Sequence, residues 1–556
     1  MRVAERLGRQ PWVVVAPLVA AQWIAVAIFA LTVQRNGWLF YQGGDQTWFW
    51  TSAWVLAHGH IPETLVGYAW ALVQTPLAAL AGPDFLDGAP AVVLLQFLVL
   101  LPLGLLGIYA IAARIGGRAL AWWAAALWIA LPYLAIPFFV QRYHERYLEQ
   151  VLPQALGLTG LGDFPSMVAL VWSAYFAIRA LDTRVPVDAV VAGLLAGFAI
   201  GIKPSNGLFV FAPLAALAIT RQWRAGAAFG VALIPALLTL ALWKYRGSGI
   251  PLLAGEPLRL ASGVLADQYS PPSFLERVRQ YVPLDREQLN AQFLGFREFL
   301  WSARVLEFGA VAGALAVARR SWPKALFLSI WLGAFFVVKG SSPAVTVESG
   351  SFWRLMLPAF PAYFLLLASI PLLVPVAGRE LAERFPSLIR SYSWRHPGVV
   401  GLAALAGAVP LLVVAALPSQ KQVVAAQVPL RSLFLPIDAT WQPSVEGVEG
   451  GLQLRWPASR ARGGNVFYVL YRSPASYRFY SNDKLVDQGL MCTPASGATR
   501  CSIEMDEVAR GRDTVVIDRP GPGTWSYRVG VAANWLDDPE QGDVFVVSGP
   551  RNVSLG

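Results

Sequence analysis

Long apolar runs alternate with short polar segments over the first three quarters of this 556-residue chain. Each run is long enough to cross, or nearly to cross, a hydrocarbon core of about 30 Å. A hydrophobic content of 56% with 14% charged residues agrees with a multi-pass membrane protein. The pattern predicts about eleven transmembrane helices, at residues 12–33, 89–112, 119–140, 164–181, 188–202, 206–220, 226–243, 303–318, 323–339, 355–376 and 398–417.

Lysine and arginine fall in short clusters between these runs. When eleven helices are threaded, all clusters lie on one side, which the positive-inside rule makes cytoplasmic. The N-terminus is then cytoplasmic and the C-terminal part extracytoplasmic. The net charge of +10 therefore reflects orientation in the bilayer, and no nucleic-acid partner is predicted, because no basic stripe with interleaved aromatics occurs. The clusters are Arg2/Arg6/Arg9, Arg114/Arg118, Arg179/Arg184, Arg221/Arg224, Arg319/Arg320/Lys324 and Arg379/Arg384/Arg390/Arg395.

The same threading assigns residues 34–88, 141–163, 244–302 and 340–354, and everything after 418, to the external side. Within the first of these segments, residues 66–81 are apolar but short and contain a proline. We expect them to form an interfacial or re-entrant segment packed on the helices. The mixed charges and aromatics of residues 244–302 predict short amphipathic helices.

Beyond residue 418 the chain becomes polar and rich in turns. Short alternating segments predict strands at residues 452–456, 466–471, 514–518, 524–531, 544–547 and 552–555, and hence a β-sandwich. The predicted organisation is a membrane domain over 1–418, a linker over 419–439 and a sandwich over 440–556. Both cysteines, Cys492 and Cys501, lie in this part, and their pairing would place it in an oxidising compartment.

The sandwich segment carries Leu454 and Trp456, the run 468–472, the run 523–529 and a final Ser-Gly-Pro before the last strand. These features resemble a fibronectin type III domain. The resemblance implies an all-β fold of the immunoglobulin and fibronectin type III kind and an adhesive or docking role, but no chemistry.

The stretch 41–50 organises the rest of the membrane part. Asp45 follows two glycines and precedes a Trp-Phe-Trp cluster just beyond the first apolar run. A carboxylate in such surroundings belongs at the interface between water and lipid. Asp45 is therefore the first functional candidate, and the alternative is that it caps the N-terminus of an interfacial helix.

Motifs of the first external segment resemble the GT-C superfamily of membrane glycosyltransferases. They are Gly-Gly-Asp at 43–45, the turn at 57–62 with His58 and His60, and Tyr68 followed by a proline at 76; the resemblance extends over roughly residues 10–375. It implies a sugar donor linked to a polyprenyl phosphate and Asp45 as the base. Inverting transfer needs a carboxylate to take the proton of the attacking hydroxyl and cations to stabilise the departing phosphate. Gln46 stands where family members often carry a second acid, so a divalent metal ion stays open and no other cofactor is predicted.

Two cations match positions that this family uses near the donor phosphate. Lys203, in Gly-x-Lys-Pro, breaks the fifth predicted helix near its outer end, which is costly unless it faces a polar cavity or the headgroups. Arg354, in Arg-x-x-x-Pro, opens the tenth predicted helix, with Leu355 where the family has tyrosine. The resemblance implies that Lys203 and Arg354 both bind the donor phosphate. The alternatives are that Lys203 only extends its side chain to the interface and that Arg354 is an interfacial anchor.

Three further candidates come from the external segments. Glu145 offers a second acidic group for the acceptor or a metal ion, although a mixed charge run is usually a solvated face. His58 and His60 flank one glycine, but they lack a third defined ligand for a metal site. Tyr68 belongs to the interfacial part of the motif and is a candidate contact for the acceptor.

These observations favour a membrane glycosyltransferase that moves a sugar from a polyprenyl-phosphate donor to an external glycan, lipid or protein acceptor. A transporter or lipid flippase is the alternative, with Lys203 and the broken helix on a transport path. A surface adhesion protein would need far fewer helices. The sequence contains no P-loop, no G-x-S-x-G and no C-x-x-C motif, so ATP-driven transport and covalent serine catalysis have no support.

Overall fold

The structure of the protein is a computed structural model. The residues that it describes are 11–33, 45–62, 64, 66–82, 85–135, 152–248, 284–299, 303–342, 351–374, 397–419, 430–431, 436–438, 441–458, 465–475, 478–481, 484–487, 490–495, 498–503, 505–534 and 543–555. The chain divides into two compact units. The first comprises Met1–Gln34, Leu94–Thr239 and Arg279–Val413, and the second comprises Arg35–Val93, Leu240–Val278 and Val414–Gly556.

The N-terminal half of the chain is helical. Its helices are α1 Pro11–Ile28, α2 Asp45–Ala57, α3 Tyr68–Ala81, α4 Phe85–Leu95, α5 Leu101–Ala135, α6 Pro153–Leu156, α7 Asp163–Thr183, α8 Pro186–Ile202, α9 Phe211–Ile219 and α10 Trp223–Ser248. Short π-helical segments, Phe29–Val33 and Gln96–Leu100, follow α1 and α4, and a 3₁₀ segment, Pro204–Val210, follows α8.

After α10, the described residues before the first strand contain six helices. They are α11 Arg286–Phe299, α12 Ala303–Ala318, α13 Trp322–Gly340, α14 Ser351–Met356, α15 Phe360–Ala368 and α16 Pro397–Ala416. Two 3₁₀ segments, Leu357–Ala359 and Ile370–Leu373, flank α15. The amphipathic helix expected in the segment 244–302 is present as α11, while residues 249–283 of that segment lie outside the described residues.

The predicted helices agree closely with the observed ones. Within the described residues, five helical segments are long and apolar enough to cross a membrane: Gly88–Leu134, Asp163–Thr183, Trp223–Gly247, Trp322–Gly340 and Phe352–Leu373. Shorter apolar helices occur as well. The predicted class, a largely helical multi-pass membrane protein with C-terminal β-structure, is confirmed. The count of eleven stays a prediction.

Helices α8 and α10 pack closely through small residues. A Cβ atom placed on Gly193 would collide with the carbonyl oxygen of Phe229, and one placed on Gly197 would lie 2.7 Å from the Cβ of Ala236. Small residues allow helix backbones to approach closely in a membrane, where lipid-facing apolar surface gives no hydrophobic driving force between helices. This contact holds the carboxyl-terminal end of α8, from which Lys203 projects.

Helix α5 is interrupted near its middle. Gly117 has a φ of 85° and a ψ of −172°, which takes the chain out of the helical conformation. Only glycine adopts such backbone angles readily. The break falls between Arg114 and Arg118, where the sequence predicts a cytoplasmic connection between two helices.

The C-terminal strands form three sheets. In order along the chain they are β1 Leu430–Arg431, β2 Pro436–Asp438, β3 Ser444–Val448, β4 Gly451–Arg455, β5 Asn465–Pro474, β6 Arg478–Ser481, β7 Lys484–Asp487, β8 Leu490–Ala495, β9 Ala498–Ile503, β10 Asp506–Gly511, β11 Val515–Asp518, β12 Gly523–Asn534, β13 Asp543–Ser548 and β14 Arg551–Leu555.

One sheet has the order β11-β4-β3 and is antiparallel throughout. A larger sheet follows the path β1-β2-β13-β12-β5-β10, with β14 also paired to β12. A three-stranded and a larger sheet, connected in this strand order, agree with the resemblance to fibronectin type III domains. The third sheet, β6-β7-β8-β9, is an up-and-down meander inserted between β5 and β10. All six predicted strands are confirmed, and the meander is an addition that the sequence pattern does not predict.

Candidate functional site

Asp163, the first residue of α7, holds two cations from distant parts of the chain. Its Oδ1 accepts a hydrogen bond from Lys203 Nζ at 2.7 Å, and its Oδ2 accepts one from Arg354 Nε at 2.9 Å. The three residues belong to the same compact unit, which contains both predicted phosphate ligands. The structure therefore brings Lys203 and Arg354 together on one carboxylate.

The backbone at Lys203 is fixed by its neighbours. Lys203 ends α8 in an extended conformation, with φ −135° and ψ 117°, and Pro204 follows it. A residue before proline is driven away from helical angles by a clash with the proline ring. The side chain of Asn206 donates to the carbonyl of Ala199 at 2.7 Å, and its backbone N–H donates to the carbonyl of Lys203 at 3.0 Å. These bonds close the broken helix end and direct the lysine towards Asp163.

Arg354 lies on the short helix α14, which passes directly into a 3₁₀ turn at Leu357–Ala359. The indole N–H of Trp331, on α13, donates to the carbonyl of Pro358 at 3.1 Å. Both residues of this bond are fully or almost fully buried. The bond attaches the turn to α13 and so positions the arginine beside the start of α7.

The connection before α7 contains the one-turn helix α6 and otherwise irregular backbone, and it is buried throughout residues 152–162. The side-chain amide of Gln96 donates to the carbonyl of Thr159, and that of Gln154 donates to the carbonyl of Trp128 at 2.8 Å. Irregular backbone at membrane depth is tolerated only where protein surrounds it or where it lines a polar cavity. This connection therefore gives Asp163 a rigid, protein-enclosed support.

Burial decides which atoms of the cluster are accessible. The side chain of Asp163 is 1% exposed, whereas those of Lys203 and Arg354 are 14% and 28% exposed. The carboxylate thus lies behind the two cations, and the three side chains together carry one net positive charge. Lys339, at the end of α13, is close enough to Lys203 for their charges to interact. Such an arrangement presents positive charge outward and suits an anionic oxygen ligand.

A second charge cluster occupies the other end of α7. Asp182 accepts a hydrogen bond from Arg114 at 3.1 Å and forms an ion pair with Lys324, whose Nζ lies 2.8 Å from its Oδ1. Arg114 also lies over the ring of Tyr175, 5.2 Å from its centroid. Here the exposures are reversed: Asp182 is 32% exposed, and Arg114 and Lys324 are 10% and 11% exposed. This cluster joins two of the predicted cytoplasmic basic clusters.

The separation of the two clusters matches the thickness of a bilayer. Asp163 and Asp182 are nineteen residues apart on one helix, which corresponds to about 28 Å at 1.5 Å per residue. A hydrocarbon core is about 30 Å thick. The two charge clusters therefore lie at opposite ends of a helix that is long enough to cross a membrane.

Asp45 belongs to the second compact unit. It is the first residue of α2 and is partly exposed. This position is consistent with a role at the helix N-terminus, where a carboxylate is favourable. A carboxylate at the start of a helix can also accept a proton, so the role of Asp45 as a base stays a proposal.

The other first-segment candidates have structural partners. The Nδ1 atom of His58 lies 2.8 Å from the carbonyl of Trp54, and that of His60 lies 2.8 Å from the carbonyl of His58. Tyr68 is buried and packs against Trp243, with the ring centroids 6.4 Å apart. Among the described residues there is no group of three or more His, Cys, Asp or Glu side chains that could hold a metal ion.

Two candidates remain as predicted from the sequence. Glu145 lies outside the described residues. Cys492 on β8 and Cys501 on β9 are directly opposite each other in the strand register. This register is compatible with the predicted disulfide, which stays a prediction.

Sequence reasoning did not assign a role to Asp163. The residue closes the external segment 141–163 and opens a long apolar helix after the sequence Gly-Leu-Gly at 160–162. The sequence does indicate that Asp163 lies between a glycine-rich turn and a membrane helix. It also predicts that Asp163 lies on the same side of the membrane as Lys203 and Arg354. Its two partners are 40 and 191 residues away along the chain, so no local pattern could identify them.

Comparison with solved structures finds similarity to an archaeal oligosaccharyltransferase and to ArnT. The oligosaccharyltransferase AglB from Archaeoglobus fulgidus, in complex with an inhibitory peptide and a dolichol-phosphate, matches at 16% identity and a TM-score of 0.39, over 72% of this chain and 55% of that one. ArnT from Cupriavidus metallidurans, bound to undecaprenyl phosphate, matches at 14% identity and a TM-score of 0.41, over 73% and 72%.

The apo form of the Archaeoglobus oligosaccharyltransferase matches at 13% identity and a TM-score of 0.38. This chain thus spans just over half the length of the oligosaccharyltransferase. No protein-family model and no curated protein sequence matches this chain. With TM-scores below 0.5, the functional proposal rests on the residues of the chain itself.

Proposed function

We propose that this protein is a membrane glycosyltransferase. It moves a sugar from a polyprenyl-phosphate donor to an extracytoplasmic glycan, lipid or protein acceptor, with inversion at the anomeric carbon. The observation that carries the proposal is the cluster of Lys203, Arg354 and Asp163, in which two cations lie in front of a buried carboxylate at one end of a membrane helix. Such a site suits a phosphate attached to a lipid whose chain occupies the bilayer.

The two cations act on the leaving group. As the bond between the anomeric carbon and the phosphate oxygen breaks, its electron pair passes to the phosphate, whose negative charge increases. Fixed cations at the edge of a low-dielectric region stabilise this developing charge without reorganisation. Arg354 donates Nε to Asp163, which fixes the plane of its guanidinium group. The guanidinium is therefore held in one orientation before a ligand arrives.

Asp45 is the proposed base. The acceptor hydroxyl oxygen forms the new bond to the anomeric carbon, and its proton passes to the Asp45 carboxylate. A base of this kind contributes about 10²–10⁴-fold to the rate. The candidates Tyr68, His58, His60 and Glu145 remain proposed contacts of the acceptor or of a divalent metal ion. The sandwich is a proposed docking module for the acceptor.

A direct test measures sugar transfer by the purified, detergent-solubilised protein. Lipid-linked sugars and cell-surface glycans of cells with and without the protein are first compared by mass spectrometry to identify the donor. The purified protein should then consume that donor and glycosylate an acceptor. Movement of the lipid-linked sugar across a vesicle membrane without transfer would instead favour the transporter or flippase.

The proposed orientation has its own test. The Asp163 end of α7 and the C-terminus are expected on the external side, and the Asp182 end on the cytoplasmic side. A single cysteine introduced near Gly556, in a variant without the two native cysteines, should react with an impermeant reagent in intact cells. Protection of that cysteine until the cells are lysed would contradict the external location.

A further inference from the structure

We propose that Asp163 makes the cation site discriminate between two phosphate ligands, by lowering its affinity for the phosphomonoester product relative to the phosphodiester donor. This inference rests on the proposed function. It assigns Asp163 as a specificity-determining residue that acts through Lys203 and Arg354, rather than as a group that reacts.

The geometry keeps the carboxylate within the site when a ligand binds. Asp163 is 1% exposed and lies at the first turn of α7, after the buried connection that Gln96 and Gln154 secure. The hydroxyl of Ser166 donates to the carbonyl of Asp163 at 2.8 Å, which adds a local restraint. A phosphate that reaches Lys203 and Arg354 must therefore share these cations with a fixed negative charge.

The two ligands differ in charge. A sugar linked to a lipid phosphate is a diester with one negative charge, whereas the released lipid phosphate is a monoester whose second ionisation has a pKa near 6. Above that pH the product carries about two negative charges. Glycosyl transfer thus produces a ligand with more negative charge than the donor that entered the site.

The repulsion from Asp163 follows the charge of the ligand. Coulomb energy is proportional to the product of the two charges, so the carboxylate opposes a dianion about twice as strongly as a monoanion. This difference does not depend on the other charges around the site, including that of Lys339, because their contributions are the same with and without the Asp163 charge. The carboxylate therefore always lowers the affinity for the product relative to the donor.

A neutral isostere tests this effect. Asp163→Asn keeps the shape of the side chain and removes its charge, and Asp182→Asn does the same to a carboxylate that also joins a lysine and an arginine on the same helix. Dissociation constants are measured at pH 8 for two probes, a short-chain prenyl phosphate and its O-methyl phosphodiester. The readout is the ratio of the two constants within each variant.

For Asp163→Asn we expect the preference for the monoester over the diester to rise by about tenfold or more, because one unit of repulsion is removed at close range. Asp182→Asn should leave the ratio unchanged, and so should the charge-preserving Asp163→Glu. If Asp163 only supported the local structure, its replacement would weaken the binding of both probes to the same extent. An unchanged ratio in a folded Asp163→Asn protein that binds both probes would overturn the inference.

The wild-type protein separates this inference from the proposed function. It should bind both probes, and its preference for the dianionic monoester over the diester should be smaller than that of Asp163→Asn by about tenfold or more. A wild-type preference as large as that of the variant would contradict the role of Asp163 while leaving the proposed function intact. Failure to bind either probe would refute the proposed function itself.

Discussion

The two ends of α7 carry the same three kinds of residue in opposite arrangements. At one end an aspartate that is 1% exposed lies behind a lysine and an arginine that are 14% and 28% exposed; at the other an aspartate that is 32% exposed covers a lysine and an arginine that are 11% and 10% exposed. Near the Asp182 end a second pair, Arg179 and Asp188, is bonded at 3.1 Å. The first arrangement turns positive charge outward, whereas the second turns the carboxylate outward and encloses the cations.

Both clusters carry one net positive charge, so the contrast teaches that such a cluster has to be judged by which of its members is exposed. Lys324 forms an ion pair with Asp182 and donates to the carbonyl of Arg114 at 2.7 Å, and the guanidinium of Arg114 lies over the ring of Tyr175. These contacts join α5, just before its break at Gly117, to α7 and α13. The Asp182 end therefore acts as a structural clamp, and the Asp163 end is the candidate ligand site.

The sandwich shows that a buried carboxylate under an arginine is not sufficient for a ligand site. Arg472 donates to both oxygens of Asp518, at 3.0 and 2.9 Å, and its guanidinium stacks on Trp525 at 4.9 Å. Tyr527 donates to the same carboxylate at 2.7 Å. This pair has no net charge, and it joins β5 to β11 and β12. Excess positive charge distinguishes the Asp163 cluster from this pair in the sandwich.

The largest effect is expected from Asp45, and it separates proton transfer from phosphate binding. Asp45→Asn keeps the size and the capping ability of the side chain but removes its ability to accept a proton. Transfer at saturating donor should fall by about 10²–10⁴-fold, with donor affinity retained. The measurement is sugar transfer by purified protein that elutes as a single folded species. Near-normal transfer would remove Asp45 from the mechanism and make Glu145 the next candidate.

The next effect compares the two ends of α7 directly, with matched lysines. Lys203→Met should raise the donor KM by about 10–100-fold, because a hydrogen bond to a charged group contributes about 1.5–3 kcal/mol. Lys324→Met should leave the donor KM within about twofold and instead lower the thermal unfolding midpoint. Equal effects on KM from the two variants would break the distinction between ligand site and clamp.

The sequence predicts the elements much better than it predicts this distinction. Apolar runs mark the segments that lie in lipid, so they predict the helices. The polar gap between two runs predicts the break at Gly117. The motif resemblance singles out Lys203 and Arg354, and the threaded topology predicts that both lie at the outer side. What the pattern does not contain is the tertiary contact: Asp163 and Asp182 are both acidic ends of one helix, and only folding decides which partners and which exposure each acquires.

The same reason explains what is missed in the sandwich. The predicted strands are those with strong alternation of apolar and polar residues, such as β5 and β12. The inserted sheet β6–β9 consists of short strands separated by brief turns, and strands of four to six residues with mixed composition give little periodic signal. Their pairing depends on neighbouring strands rather than on their own pattern.

A moderate effect is expected from the cysteines of that inserted sheet, and it tests which side of the membrane the C-terminal part occupies. Replacing Cys492 and Cys501 by serine should cost about 2–3 kcal/mol, as estimated from the entropy of closing a loop of about ten residues. The control is the wild-type protein under reducing conditions, which should show the same loss. Two free thiols in non-reducing peptide mapping would contradict the pairing.

The smallest effect concerns the third carboxylate, Asp518. Burial is the main cause that raises the pKa of the Tyr527 phenol, so its hydroxyl stays protonated and donates to Asp518 across the usable pH range. Tyr527→Phe removes this donor and should destabilise the sandwich by about 1–2 kcal/mol, without changing donor binding. Faster hydrogen exchange in peptides covering β12 of the full-length protein measures the loss. A change in donor KM would contradict the structural assignment of this pair.

The central claim is that lipid-linked phosphate binds at the Asp163 end of α7. Photocrosslinking tests it most directly, with a short-chain prenyl phosphate that carries a diazirine beside the phosphate, followed by peptide mapping of the purified full-length protein. Adducts that an excess of unlabelled prenyl phosphate suppresses are expected in peptides containing Asp163, Lys203 or Arg354. Suppressible adducts confined to peptides around Asp182 and Lys324, or none at all, would contradict the account.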